Sequence, residues 1–434
     1  MGYIFPKKTV QDVDISGKRV LVRADYNVPL NDDGSVANDF RISSSVPTLE
    51  YLMHQGCKIT VMSHLGRPKG QVVSSMSLAP VYRHLVSIFG KDKVSFADDC
   101  TSSEALKASK NLEPSQIMLL ENTRFHAGDE AGDPELAKTL AKYGEIFVQD
   151  CFGTAHRSHA SVTGVAEILP SVAGLLLERE VVSINEAMHA PERPLVAIIG
   201  GAKISDKIDL IQRFMDKADF IGIGGAMANT FLAAEGVPIG KSMYEPDEIE
   251  HAKTILAEAR RREKEGSLSF FVPMDGVVAR DIDSNAKTRI VDWGSGTTAD
   301  MSAYPAHPKK SAYTVDEDEM ILDTGPFSAA YIAGAVQMAG TVIWNGTMGV
   351  TETQPVRGHE WGPFEIADIK LHESLTGFDG RRPKVIVGGG DTASFVLGLE
   401  HHDLYDHVST GGGASMDLMS GKKLPGVEVL QDKE

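Results

Sequence analysis

Short apolar runs alternate with helix-period stretches from one end of this chain to the other, and each run breaks off into glycine or into charged residues. That alternation predicts parallel sheets wrapped by helices, because a parallel crossover needs a connection long enough to hold a helix. In the first half the expected strands are Arg19–Asn27 (RVLVRADYN), Lys58–Pro68 (KITVMSHLGRP), Gln116–His126 (QIMLLENTRFH) and Ile146–His159 (IFVQDCFGTAHRSH). Their ends are polar and mostly cationic. In the second half they are Pro194–Lys203, Asp219–Met227, Thr341–Gly349, Lys384–Thr392 and His407–Ser415, all running into glycine. Ligands of open parallel sheets bind at the carboxyl edge of the strands, so two sites of different chemistry are expected. A length of 434 residues exceeds one average core and gives the same count of two domains.

The stretch SVAGLLLEREVVSINEAMHAPERP has the spacing of a helix from about Ser171 to Met188, stopped by Pro191 and Pro194, and reads as a connector. From about Asp292 to Asp318 the chain is rich in Gly, Ser, Pro and charge, the composition of a long surface loop. A formal net charge of −17 argues against a general nucleic-acid or anionic-membrane binder. An anionic ligand must then be met by a local cluster of cations. Cys57, Cys100 and Cys151 form no CxxC pair, and their odd number suggests a reducing compartment. With no presequence pattern and no apolar run of spanning length, a cytoplasmic protein is expected.

The first-half cluster comprises Arg23, Arg41, His64, Arg67, Arg124, His156, Arg157 and His159. Each alone is compatible with a solvated surface side chain or a structural hydrogen bond. Together they would repel one another without an anion, and converging guanidinium forks suit carboxylate or phosphate. Asp25 and Asn27 would bond substrate hydroxyls or serve as turn residues.

In IIGGAKISDKIDLI the glycines allow close backbone approach, and Ile204, Ile208 and Ile211 mark the buried stripe of a helix. The spacing puts Lys203 and Lys207 on one face of its first turns, where a phosphate chain would offset their clash with the helix dipole. GGGDTA places Asp391 at a helix start, as an N-cap or as a ligand for Mg²⁺ on a nucleotide. STGGGAS (Ser409–Ser415) suits a backbone anion nest. EGVPIGKS falls one residue short of a Walker A loop and GIGGAM lacks the third glycine of a dinucleotide fingerprint, which disfavours both classes.

In order, RADYNVPL, SHLGRP, ENTRFH, FGTAHRSH, GGAKISDKI, WNGTMGV, GGGDTA and STGGGAS resemble the motifs of phosphoglycerate kinases over nearly the whole chain. The resemblance implies an α/β protein of two doubly wound parallel-sheet domains facing across a hinged cleft. The expected division is 1–184, with 415–434 packing back on it, against 185–414, with the connecting helix near 171–190. It implies reversible phosphoryl transfer between 1,3-bisphosphoglycerate and Mg·ADP, giving 3-phosphoglycerate and Mg·ATP, in a monomer with no nucleic-acid or membrane partner. Asp25, Asn27, Arg41, His64, Arg67, Arg124 and Arg157 fall on its phosphoglycerate positions. Gly201, Ala202, Lys203, Lys207, Gly225, Leu322, Asn345, Glu352, Gly388, Gly389, Gly390, Asp391 and Thr392 fall on its nucleotide positions, Asp391 being the metal end. Arg41, Lys203, Gly389 and Gly412 are the implied catalytic set. Thr347 and Thr351 replace the family's usual Pro and Phe, which bears on nucleotide affinity or base preference. A kinase with a changed substrate and a silent nucleotide-binding paralogue stay open at this point.

Overall fold

Alternate residues of the central strands face opposite sides of their sheet, and both sides are buried, which is why the runs read as continuously apolar. In strand β1 (Arg19–Arg23), Val20 and Val22 join one core with Ile59, Val61, Ile117, Leu119 and Val148. Leu21 points the other way, to Met62, Met118, Leu120 and Phe147. The computed structural model describes residues 2–294, 313–353, 355, 361–376, 382–399 and 401–433.

The chain divides into two units. The first holds Met1–Ser183 with Gly413–Leu418 and Lys422–Glu434, the second Ile184–Gly412 with Met419–Gly421. The first unit's sheet contains β1, β2 (Lys58–Met62), β3 (Val94–Ala97), β4 (Ile117–Leu120), β5 (Ile146–Gln149) and β6 (Ser171–Ala173) in the order β3-β4-β2-β1-β5-β6. Every pairing is parallel. From β1 the order runs β2-β4-β3 on one side and β5-β6 on the other, so the chain crosses from one side of β1 to the other and the topological switch lies at its carboxyl end.

The second unit repeats the plan with β7 (Leu195–Ile199), β8 (Phe220–Ile223), β9 (Ser269–Phe271), β13 (Thr341–Asn345), β14 (Lys384–Gly388) and β15 (His407–Val408), in the order β15-β14-β13-β7-β8-β9. Its switch lies between β7 and β13. The strands β10 (Asp275–Ala279), β11 (Arg289–Asp292) and β12 (Met320–Thr324) form a separate antiparallel sheet in the order β11-β10-β12. The parallel pattern read from the sequence did not include it. Its strands are as long as those of the parallel sheets, but β12 ends in Asp323 and Thr324, which breaks the apolar run. Residues 295–312 of the expected polar loop lie outside the described residues.

The connector differs from its expected form. Ser171–Ala173 is not helical but pairs as β6 with Phe147–Gln149, and the helix is Leu175–His189. The break is Gly174, where a Cβ would overlap the Asp150 carboxylate. Asp150 Oδ1 in turn accepts from the N–H groups of Leu176 and Leu177, satisfying the open donors of the helix start. The division between the units falls inside this helix, between Ser183 and Ile184. Among the described residues no helix is long and apolar enough to cross a membrane.

Candidate active site

In the first unit the loops after β1, β2 and β4 are stitched together by side chains. Tyr26 N donates to Ser63 Oγ (2.8 Å), Gly66 N to Asn27 Oδ1 (2.8 Å), and Arg124 Nη1 to Gly66 O (2.9 Å). Arg41, on the helix Phe40–His54, donates to Asn27 O and stands 3.9 Å from Asp25 Oδ1. Asp25, Asn27, Arg41 and Arg124 are thus joined by direct contacts. Arg67 and Arg157 are exposed. Arg157 acts electrostatically on Arg124 and on the neighbouring histidines, whereas Arg67 is tied to the set only through its own loop.

Two features of this edge differ from a ring of surface cations. Arg23 is fully buried: its Nε donates to Ser161 Oγ (3.1 Å) and its Nη2 to His64 Nδ1 (3.2 Å). It is an internal strut whose charge faces buried Asp129. Burial alone pushes that carboxyl up, but Arg23 and bonds from Thr123 and Ser161 hold it below the usual range. The histidines, secondly, are not cations. Burial, with Arg23, Arg124 and Arg41 around it, pushes His64 well below its ordinary pKa. Burial takes His159 down to about 4 and lowers His156 as well. The positive field at pH 7 comes from the arginines, and His64 offers a neutral imidazole.

In the second unit glycines bring the ends of β7, β8 and β13 against one another. A Cβ on Gly200 would strike Thr347 O, and one on Gly225 (φ +65°) would strike Gly201 backbone atoms. The close approach anticipated for these glycines is therefore mutual. The helix begins only at Ile208, so Lys203 and Lys207 do not share a helical face. Lys203 is exposed in the preceding turn, while Lys207 is 8% exposed at the N-cap position. Lys207 Nζ donates to Gly200 O (2.6 Å), Asn345 O (2.9 Å) and Asn345 Oδ1 (2.8 Å), which uses all three of its protons. Burial pushes its pKa down to about 8, against the pull of Asp391 and Asp206.

Asn345 ends β13 opposite Gly388 of β14. Its Oδ1 is taken by Lys207, and its Nδ2 is buried with no hydrogen-bond partner. That idle donor lies 3.6 Å from where a Cβ of Gly389 would be, at the start of the helix Gly390–Leu397. Gly412 packs beside Gly390. Thr392 is buried, its hydroxyl accepting from Gly346 N (2.7 Å). Asp391 is exposed in the first helical turn and makes no cap, since the N-cap residue is Gly389.

Beside these turns lies a cavity of about 270 Å³. Gly201, Ala202, Gly225, Leu322, Glu352 and Asp391 line it, whereas Lys203, Lys207, Asn345, Gly388, Gly389, Gly390 and Thr392 do not. Sequence reasoning missed Asn229, Asp323, Met348 and Gly349 in its wall, and Asp368, which is bonded to Met348 N. Asp368 accepts from Met348 N and Gly349 N, and Asp323 from Thr324 N and Ala367 N. Burial raises both carboxyls, and their proximity raises Asp368 further. The available signal was an aspartate inside an apolar run, as in MILDT.

Comparison with known proteins gives one consistent result. The family model described as phosphoglycerate kinase matches residues 10–422. A phosphoglycerate kinase of Chloroflexus aurantiacus is 42% identical over 429 residues, covering 99% of this chain and 100% of that one. One from Pseudothermotoga lettingae is 40% identical over 428 residues, covering 99% of each. Among solved structures, phosphoglycerate kinase from Coxiella burnetii aligns with a TM-score of 0.77 at 34% identity, covering 98% of both chains. That from Pyrococcus horikoshii aligns with a TM-score of 0.79 at 25% identity and the same coverage.

Proposed function

Because this chain belongs to the phosphoglycerate kinase family, we propose that its two sheet edges divide the reactants of that reaction between them. It is a phosphotransferase acting reversibly between 1,3-bisphosphoglycerate with ADP and 3-phosphoglycerate with ATP. The first unit takes the phosphoglycerate on Arg41, Arg67, Arg124 and Arg157, with Asp25, Asn27 and neutral His64 bonding its oxygens. The second takes the nucleotide, its base and ribose against Gly201, Ala202, Gly225, Leu322 and Glu352, its phosphates toward Asn345 and Gly388–Gly390.

The observation that carries this reading is the Asn345 amide. A buried donor with no partner, beside an open glycine turn, is costly unless a ligand supplies the acceptor. A phosphate oxygen does so. Mg²⁺ fits the same end, since Asp391 offers one exposed carboxylate and a magnesium ion takes its other ligands from phosphate and water. Bound there it would neutralise phosphate charge.

In the ATP-forming direction the bond between the acyl oxygen and phosphorus breaks while one forms from phosphorus to a terminal ADP oxygen. The leaving group is a carboxylate and no proton need be removed, so the absence of a general base from the assigned set is no obstacle. What remains is positioning and charge stabilisation. Lys203, exposed beside the Gly201–Ala202 turn, and Arg41 are the cations assigned to the moving phosphoryl group, with the backbone N–H groups near Gly389 and Gly412. The reading extends to a monomeric cytoplasmic enzyme without nucleic-acid or membrane partners, in keeping with the net charge of −17.

The test is 3-phosphoglycerate-dependent ADP formation from Mg·ATP with the product removed by coupling. Lys203→Ala and Arg41→Ala are each expected to lower kcat by roughly 10²–10³-fold. Wild-type turnover that survives in both variants would refute these assignments.

A further inference from the structure

Away from these edges, one group of side chains in the first unit has no part in the reaction described. Asp99 and Cys100 follow β3, and His126 follows the single turn Thr123–Phe125 after β4. One ligand-type atom from each lies within 4.8 Å of the other two, the only such triad of His, Cys, Asp or Glu among the described residues. Asp99 Oδ1 accepts from Thr101 N (2.9 Å), the Thr101 hydroxyl (3.0 Å) and His126 Nε2 (3.2 Å).

An Asp–His hydrogen bond would be complete without Cys100, which is 1% exposed. It also leaves Tyr143 unexplained. That residue follows the helix Pro134–Ala141 and is 2% exposed, and its hydroxyl is buried with no hydrogen-bond partner. Beyond burial, the charges that act on this hydroxyl are those of Cys100 and Asp99, two members of the triad. A buried phenol ordinarily finds a partner.

We propose that Asp99, Cys100 and His126 bind a divalent cation of the zinc type, with the Tyr143 hydroxyl at the fourth position, directly or through one water. One nitrogen, one sulfur and one oxygen donor suit zinc and not magnesium or calcium. Bonds of about 2.0–2.3 Å in a tetrahedron put ligand atoms roughly 3.3–3.8 Å apart; Asp99 Oδ1 and His126 Nε2 already stand 3.2 Å apart, and the three ligand atoms all lie within 4.8 Å of one another. On binding, the Cys100 thiol proton leaves to solvent as the sulfur–metal bond forms. The His126–Asp99 hydrogen bond gives way to a bond from each residue to the ion, the Nε2 proton leaving to solvent while the neutral imidazole takes its proton at Nδ1. His126 lies two residues beyond Arg124, so the ion pins the loop after β3 to the turn that carries this arginine.

Cobalt titration of the intact, reduced protein tests the assignment, because cobalt(II) on a thiolate gives a near-ultraviolet charge-transfer band independent of catalysis. The expected result is one cobalt per chain, displaced by zinc, with the band lost in Cys100→Ser and affinity at least tenfold weaker in His126→Gln. Cys57 and Cys151 are the other thiols, so a band that persists in Cys100→Ser, or none in wild type, overturns the site. Should Cys100→Ser fail to fold by circular dichroism, His126→Gln decides: unchanged cobalt affinity there also overturns it.

Discussion

Lys203 and Lys207 are four positions apart, yet the first is exposed and the second is buried with three oxygens on its ammonium group. Family resemblance puts Lys207 on the nucleotide phosphates, whereas its geometry here is that of a strut between the ends of β7 and β13. Removing it leaves the Gly200 carbonyl and the Asn345 side-chain oxygen without this donor, while the Asn345 carbonyl keeps Gly200 N, and buried acceptors left unpaired cost about 1–3 kcal/mol. Lys207→Met is therefore expected to lower the urea midpoint of the ligand-free protein by an amount corresponding to roughly 2 kcal/mol. An unchanged midpoint would assign the lysine to the ligand alone. The sequence disclosed which polar residues stand at strand ends, because those ends punctuate apolar runs. It did not disclose the burial of Lys207, since a spacing of four reads as a helical face and the helix starts later. Nor did it disclose the neutrality of His64, which depends first on burial and then on arginines from three other segments.

Among elements, the helix Leu175–His189 shows how a local break governs a long segment. Asp150, at the end of β5, is buried, and burial raises its carboxyl to about 6 despite the N–H groups it accepts. A folded-state pKa above the unfolded value of about 3.9 means that the folded form holds the proton more tightly. Its stabilising contribution is full below pH 4 and is lost as pH rises through about 6. Asp150→Asn keeps an acceptor for Leu176 and Leu177 but cannot titrate. Chemical denaturation across pH 4 to 7 should show a flatter stability profile in this variant, by on the order of 2–3 kcal/mol. Parallel slopes in the two proteins would mean that Asp150 does not hold its proton. The parallel strands were legible because burial on both faces leaves unbroken apolar runs. Strand β6 was not, because SVAGLLLE continues smoothly into a helical pattern and only the collision at Gly174 separates them. The antiparallel sheet was hidden for another reason: β12 pairs not with β11, the strand before it in the chain, but with β10, so no local signal joins it to its partner.

For the whole molecule, the two parallel sheets followed from strand cadence, while the assignment of reactants to units rests on chemistry. If each unit binds one reactant, turnover requires the units to close on each other and exclude water from the acyl phosphate. Small-angle scattering should then give a smaller radius of gyration with 3-phosphoglycerate and a non-hydrolysable ATP analogue together than with either alone. Identical values in all three states would rule out closure. The first unit also incorporates the last segment of the chain: Lys8 N donates to Gln431 O (2.7 Å), Gln431 N to Ser171 O (3.0 Å), and Gly426 N to Ala155 O (2.8 Å). The second unit is thus, topologically, an insertion between early and late parts of the first. On a ribosome Ile184–Gly412, nearly all of it, is made before those late parts emerge, so the second unit can mature first. The nascent first unit meanwhile waits with the backbone groups of Lys8, Ala155 and Ser171 unanswered, which makes Lys422–Glu434 a latch applied only after the second unit has been made.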